Sequence, residues 1–168
     1  MAAAKVAPPQ LPNYPMNTDI ATNKKALRDF HILSKIECGI ELRGTEVKSI
    51  RDGKANIRDA FARVERGQVF LYGCDIQPWQ TAGTWFQHES KRPRRLLLHK
   101  SEILKLQEST QVKGETLVAL RMYFKGRRVK VELGLAKGKT HGDQRHDLKK
   151  KVELREAQRE MARFNRGR

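Results

Sequence analysis

Cysteine and long apolar runs are both scarce in this chain. Only Cys38 and Cys74 occur among 168 residues, and they do not form a Cys-x-x-Cys pair. That spacing argues against structural zinc and a disulfide framework, so we expect two small buried hydrophobic groups. No apolar run approaches the roughly 20 residues that a membrane-spanning helix requires, and no lipidation signal is present. We therefore expect no membrane partner.

Acidic residues are also in short supply. The chain has 19 Asp and Glu against 35 Lys and Arg, and its formal net charge is +16. Residues 137–168 contribute eleven basic and five acidic residues, or +6, and residues 24–136 contribute +10 because residues 1–23 are neutral. A body and a tail that are both basic predict a nucleic-acid partner and strongly salt-dependent binding.

Proline is concentrated in residues 1–22 and is absent after Pro93. The first segment lacks the apolar core of a secretory signal and the arginines of an organelle transit peptide. We predict that residues 1–22 are a disordered, proline-rich leader and that the protein is cytoplasmic. Residues 137–168 have few large apolar side chains, so we predict a basic tail that folds on a polyanion.

Residues 23–136 alternate apolar and polar side chains with a period of two, which predicts strands. The alternation starts at Phe30, is interrupted at Glu37–Gly39, and resumes in a second strand over 40–50. Arg66-Gly67 and Lys125-Gly126 each separate two strand-like runs and predict hairpins. Six short strands in all predict a mainly β protein with a closed or partly open barrel. A short turn at 56–60 and a helix over 98–111 interrupt it.

The segment 78–95 is predicted to be a long basic loop. It combines Lys91, Arg92, Arg94 and Arg95 with Trp79, Trp85 and Phe86. Such a loop is either simply solvated or able to contact phosphates and stack on bases.

Glu46-Val47-Lys48 allows an enzymatic alternative. On a strand the two charged side chains share a face, and with Asp29 upstream they resemble the metal-dependent nuclease pattern Asp…Glu-x-Lys. Glu-x-Lys is common by chance, so we prefer a non-catalytic strand face with a basic edge formed by Lys48 and Arg51. A metal-dependent nuclease is the distant alternative.

Four blocks, Asn23–Phe30, Gly44–Phe61, Lys91–Ile103 and Lys130–Lys139, closely resemble the small protein B family, the bacterial SsrA-binding proteins, over residues 23–164. The resemblance implies an oligonucleotide-binding-type barrel and an RNA-binding adaptor without catalytic activity or cofactor. It implies binding to the tRNA-like domain of transfer-messenger RNA and delivery to stalled ribosomes for rescue and peptide tagging, with elongation factor Tu in the delivery complex. The main alternative is a generic chaperone of structured or single-stranded RNA.

The resemblance also points to individual barrel residues. Glu37 matches a family glutamate of the RNA-binding face, where a carboxylate can accept hydrogen bonds from base amino groups or ribose 2′-hydroxyls. Together with the basic positions found above, the predicted RNA-binding set is Asn23, Lys24, Glu37, Lys48, Arg51, Arg94, Arg95, Leu97 and His99.

In the tail, Gly138, Lys139, Asp143 and Arg145 match the family pattern that follows the last strand. Thr140 and Gln144 stand where lysine is usual, and Gly142 stands where the family often has an aromatic residue or histidine. The resemblance implies a tail that is disordered alone and helical in the empty message channel. The predicted ribosome-probing residues are Gly138, Lys139, Asp143, Arg145, Lys149, Lys150 and Lys151.

Overall fold

The computed structural model describes residues 18–79, 88–111 and 114–166. The described strands are β1 (Thr18–Thr22), β2 (Phe30–Ile40), β3 (Ala55–Asn56), β4 (Phe61–Glu65), β5 (Gln68–Tyr72), β6 (Asp75–Ile76), β7 (Arg94–Leu97), β8 (Glu115–Lys125) and β9 (Arg128–Gly138). The described helices are α1 (Lys24–Asp29), α2 (Gly44–Arg51), α3 (Lys100–Gln111) and α4 (His141–Arg166). None of these helices is both long and apolar enough to cross a membrane.

Six strands close into a barrel in the order β8-β4-β5-β7-β2-β9, with β9 pairing again with β8. All of these pairings are antiparallel. The predicted barrel of about six strands is confirmed. Strand β1 is a seventh member of the sheet that pairs with β8 outside the ring, and β3 and β6 form a separate two-stranded ribbon.

Alternating side chains fill the barrel interior. Val129, Val131 and Leu133 of β9 point inward and pack with residues such as Val69 and Leu117. The Arg66-Gly67 hairpin is confirmed: both residues have positive φ, +48° and +72°, which matches the twist of two-residue hairpins. The Lys125-Gly126 hairpin is also confirmed.

Both thiols are buried, as predicted. Burial raises the pKa of Cys38 to about 12 and that of Cys74 to about 11. The Cys38 thiol donates a hydrogen bond to the Val131 carbonyl at 3.1 Å. At neutral pH both side chains are therefore protonated and serve as packing groups.

Strand β8 shares one of its edges between two partners. Its N-terminal half pairs with β4 through Leu117 and Val118, and its C-terminal half pairs with β1 through 121–124. The pairing partner of β8 changes from β4 to β1 at Leu120, whose carbonyl accepts the backbone N–H of Asn23 at 2.8 Å. Because residues 18–22 form β1, the predicted leader is corrected there; residues 1–17 lie outside the described residues.

The predicted second strand over 40–50 is wrong. Strand β2 continues through Glu37–Gly39 to Ile40, and residues 44–51 are helix α2. The helix begins where the Glu46 carboxylate accepts the Arg43 backbone N–H at 2.6 Å, which satisfies a donor that the first helical turn leaves free.

Of the three remaining predictions, one is confirmed and two are adjusted. The turn at 56–60 is present and is closed by a hydrogen bond from the Ala60 N–H to the Ile57 carbonyl at 3.1 Å. Helix α3 begins at Lys100, two residues after its predicted start. The predicted loop 78–95 ends earlier, because Arg94 and Arg95 belong to β7. Trp85 and Phe86 lie outside the described residues.

Candidate nucleic-acid interface

One row of outward positions runs across β7, β2, β9 and β8. Gly39 of β2 is paired with Leu97 on one side and Lys130 on the other, and Lys130 is paired with Tyr123. A Cβ at Gly39 would come within 3.2 Å of the Leu97 Cβ, so glycine leaves space for this leucine. Leu97 is 51% exposed. We call the surface formed by Glu37, Leu97, Lys125 and Lys130, together with Tyr123, which is only 4% exposed and reaches Glu37 through its hydroxyl, the Glu37 face.

The Glu37 carboxylate organises this face. It accepts a hydrogen bond from the Tyr123 hydroxyl and lies 3.0 Å from Nζ of Lys125 and 3.7 Å from Nζ of Lys130. The hydrogen bonds from Tyr123 and Lys125 lower the pKa of Glu37. Desolvation and the bond to Glu37 raise the pKa of Tyr123 to about 12. An ionised acceptor with 37% side-chain exposure therefore stands among cations at neutral pH.

A second set of charges adjoins the Glu37 face. The Glu132 carboxylate lies 3.1 Å from both Nη2 of Arg121 and Nζ of Lys35. The Arg121 guanidinium also lies over the Tyr123 ring, 4.5 Å from its centroid. Alternating charges fix the long basic side chains in place, so the surface offers a shaped pattern of donors and acceptors in addition to positive potential.

Arg94 does not lie on this surface, and its predicted role in RNA binding is corrected. Its side chain is fully buried, and Nε donates to Glu46 at 2.9 Å. The remaining guanidinium nitrogens donate to the Cys74 carbonyl at 2.5 Å and the Ser90 carbonyl at 2.8 Å. Arg94 shares the inward side of β7 with Leu96, whereas Arg95 and Leu97 point outward.

Glu46 is also buried completely. Burial alone would raise its pKa, but hydrogen bonds from Arg92 and the Arg43 backbone, with the charge of Arg94, lower it. The Arg92 bond is short, with Nη2 2.6 Å from Oε2. The strand face expected for Glu46 and Lys48 is wrong, because residues two apart on a helix do not face each other. Within the described residues, no group of three potential ligands is placed to hold a metal.

The predicted contact of Asn23 with RNA is also corrected. Asn23 is 2% exposed, and its Nδ2 donates to the carbonyls of Ile57 and Ala119, both at 3.0 Å. Its Oδ1 accepts the Ala26 N–H at 2.9 Å as the N-cap of α1. The side chain joins α1 to the barrel, and both of its Nδ2 hydrogens are used within the protein. The neighbouring Lys24 is exposed.

The other barrel candidates are accessible but not all adjacent. Arg95 is exposed and lies 2.8 Å from the Glu41 carboxylate. His99 is exposed at the start of α3, where its N–H donates to Glu102 at 2.8 Å. Lys48 and Arg51 belong to α2, apart from the strands that form the Glu37 face.

The tail begins immediately after the barrel. Its Lys139 N–H donates to the Asp29 carbonyl at 2.9 Å, and its Nζ lies 3.5 Å from the Leu27 carbonyl. Helix α4 follows, and the described side chains from Val152 to Ala162 are all exposed, as are Arg145, Lys149 and Lys150. The structure shows this part of the tail as a helix, and the prediction that the tail is disordered alone and helical when bound stays a prediction. The side chains of Gly142, Gln144 and Lys151 lie outside the described set.

The sequence did not identify Tyr123, Lys125 and Arg121 as parts of the site. Their outward orientation follows from the alternation in β8, but their position beside Glu37 depends on β9 lying between β8 and β2.

A closed barrel with a basic, patterned outer face and an exposed basic helix defines an RNA-binding protein of the oligonucleotide-binding type. The family model described as "SmpB protein" matches residues 20–163. An SsrA-binding protein of Carboxydothermus hydrogenoformans is 52% identical over 87% of this chain and 97% of its own length. One of Desulforudis audaxviator is 50% identical over 88% and 94%. The chain belongs to the SmpB protein family.

A solved structure supports the same assignment. It is described as "tmRNA-SmpB: a journey to the center of the bacterial ribosome", and its matching chain is 44% identical to this one. The TM-score is 0.60, with 71% of this chain and 84% of that chain covered.

Proposed function

We propose that this protein is a non-enzymatic adaptor that binds the tRNA-like domain of transfer-messenger RNA and delivers it to stalled bacterial ribosomes in the cytoplasm. The single observation that carries the proposal is the Glu37 face, on a chain about half identical to SsrA-binding proteins over nearly their whole length. The chemistry of rescue and tagging belongs to the ribosome, and elongation factor Tu is the expected companion in delivery.

The Glu37 face suits folded RNA better than bulk polyanion. A carboxylate repels phosphate, so attraction to the phosphate backbone gives no reason for an exposed Glu37 at this place on a protein of net charge +16. Base amino groups and ribose 2′-hydroxyls are donors that a fixed carboxylate recognises. On the same face, exposed Leu97 offers an apolar contact to a base or sugar, and Lys125 and Lys130 supply phosphate contacts.

In this proposal the tail reports on the decoding site and the message channel. A 26-residue helix whose described side chains are largely exposed has no apolar partner in the described fold, and an RNA channel would provide a complementary surface. Arg145, Lys149, Lys150 and Lys151 would contact ribosomal RNA, and Gly138, Lys139 and Asp143 would form the base of the probe.

The test compares Glu37→Gln with Glu65→Gln in binding to transfer-messenger RNA. Glu65 is a close control, because it also lies on an outward strand position and accepts a tyrosine hydroxyl, that of Tyr72 at 2.9 Å. We expect Glu37→Gln to lose about tenfold in affinity, the effect of one good specific contact, and Glu65→Gln to change little. If both variants bound more tightly, simple charge attraction would explain the binding and the proposal would fail.

Competition separates the adaptor from the generic RNA chaperone. Excess bulk tRNA should leave the complex with transfer-messenger RNA intact, whereas a generic binder would be displaced. A chain truncated after Lys137 should retain this binding and lose peptide tagging in a reconstituted stalled-ribosome assay. Loss of RNA binding on truncation would contradict the proposed division between barrel and tail.

A further inference from the structure

The connection between barrel and tail is very short. Strand β9 ends at Gly138 and α4 begins at His141, so only Lys139 and Thr140 lie between them. Lys139 is anchored at the C-terminal end of α1 by the backbone and side-chain contacts to Asp29 and Leu27. A two-residue connection with a fixed first residue leaves little rotational freedom, so the local contacts at Thr140 determine the direction in which α4 leaves.

Thr140 and Asp143 bind each other reciprocally. The Asp143 carboxylate accepts the Thr140 backbone N–H at 3.1 Å and its hydroxyl at 2.8 Å. The Thr140 hydroxyl in turn accepts the Asp143 backbone N–H at 3.3 Å. This is the geometry of a capping box, with aspartate at the third helical position, and it satisfies donors that the first turn of a helix leaves free.

The box also contacts the barrel. Nε2 of His31, on β2, lies 3.6 Å from the Asp143 carboxylate. Asp143 therefore places the start of α4 beside β2, while hydrogen bonds of Lys139 tie the connection to α1. Hydrogen bonds from Thr140 lower the pKa of Asp143, which keeps the acceptor ionised at neutral pH.

We propose that Thr140 and Asp143 are positioning residues, which set the first residue of α4 and its direction relative to the barrel, and that Asp143 acts within the protein instead of on ribosomal RNA. Lysine at position 140 could not form this box, because an ammonium group has no acceptor oxygen for the Asp143 N–H. The functional consequence rests on the proposed role of the tail; the structural part does not.

Amide hydrogen exchange in the full chain without RNA tests the structural part. Thr140→Val removes the hydroxyl at nearly constant shape, Asp143→Ala removes the carboxylate, and Thr140→Ser retains the hydroxyl. We expect the first two to accelerate exchange in the first hydrogen-bonded turn of α4 by about fivefold, as for loss of a good N-cap, and Thr140→Ser to behave as the parent. Thr110→Val, which removes a hydroxyl from α3, is the matched control and should leave α4 unchanged.

The double variant Thr140→Val/Asp143→Ala should lose less than the sum of the two single variants, because both remove the bond between the Thr140 hydroxyl and the Asp143 carboxylate, while each also removes one backbone bond of its own. In the tagging assay both single variants should lose activity in parallel, with binding to transfer-messenger RNA retained. Loss with Asp143→Ala alone, at unchanged exchange, would show direct contact with RNA and overturn the inference. If the variants showed the expected exchange pattern but the parent chain itself had no tagging activity, the proposed function would be refuted and the capping role would remain.

Discussion

The carboxylate of Glu46 and the guanidinium of Arg94 form an ion pair from which solvent is excluded, since both side chains are fully buried at an Nε–Oε1 distance of 2.9 Å. The pair connects α2 to the inward side of β7, and Arg92 adds a second bond from the exposed side. One of the most basic runs in the sequence therefore contributes a side chain to the interior of the protein.

Glu46→Gln should destabilise the fold strongly, because it leaves the Arg94 charge buried without its counterion. The expected loss is about 3–5 kcal/mol in the free energy of unfolding, measured by urea denaturation. Glu41→Gln is the control: it breaks the exposed pair with Arg95 and should cost at most about 1 kcal/mol. Similar losses in both variants would contradict the assigned burial.

Asn23→Ala should cost about 2–4 kcal/mol of stability, because it removes an N-cap and leaves the Ile57 and Ala119 carbonyls without their donor. Lys24→Ala, at the next and exposed position, should change stability by no more than about 0.5 kcal/mol. Thermal unfolding of the two variants provides the comparison. A stable Asn23→Ala protein with weakened RNA binding would restore the RNA-contact interpretation.

Tyr123→Phe should raise the pKa of Glu37 toward its ordinary value, because the tyrosine hydroxyl is the main group that lowers it. A lowered folded-state pKa contributes stability above the unfolded value and loses it as pH falls through the folded value, so the variant should lose less stability on acidification. Carboxyl ¹³C titration by NMR measures the shift. Tyr72→Phe should leave the titration of Glu37 unchanged.

Gly73→Ala should be far more damaging than Gly53→Ala, although both glycines have φ near +70°. A Cβ at Gly73 would lie 2.6 Å from the Asp59 carbonyl oxygen, whereas nothing lies within 4 Å at Gly53. We expect about 1–2 kcal/mol for Gly53→Ala from backbone strain alone, and a further loss of about 1–3 kcal/mol at Gly73 from the clash. Equal losses in denaturant unfolding would exclude the steric contribution.

The hairpins and helix α3 were predictable because their signals are local. Arg66-Gly67 and Lys125-Gly126 place glycine between alternating runs, and this pattern needs no information from distant residues. Helix α2 was missed for the opposite reason: its first turn is stabilised by a carboxylate whose partners lie 46 and 48 residues away. Local alternation around Ile50 fitted a strand equally well.

In the candidate site, too, local signals were predictable and long-range contacts were not. Glu37 and Leu97 could be identified from the resemblance, but the sequence could not show which arginine of the basic run points inward. Once Arg94 is known to lie in a strand, its position two residues before buried Leu96 decides the matter. Asn23 has no such local indicator, because its acceptors come from β8 and the turn before β4.

Strand β1 protects the part of β8 that β4 does not reach. A fragment that starts at Lys24, as if all preceding residues were dispensable, would leave the backbone groups of 121–124 on that edge without partners. Open edges of this kind recruit strands from neighbouring molecules. Such a fragment should tend to self-associate and precipitate at high concentration, whereas a chain starting at Thr18 should remain monodisperse.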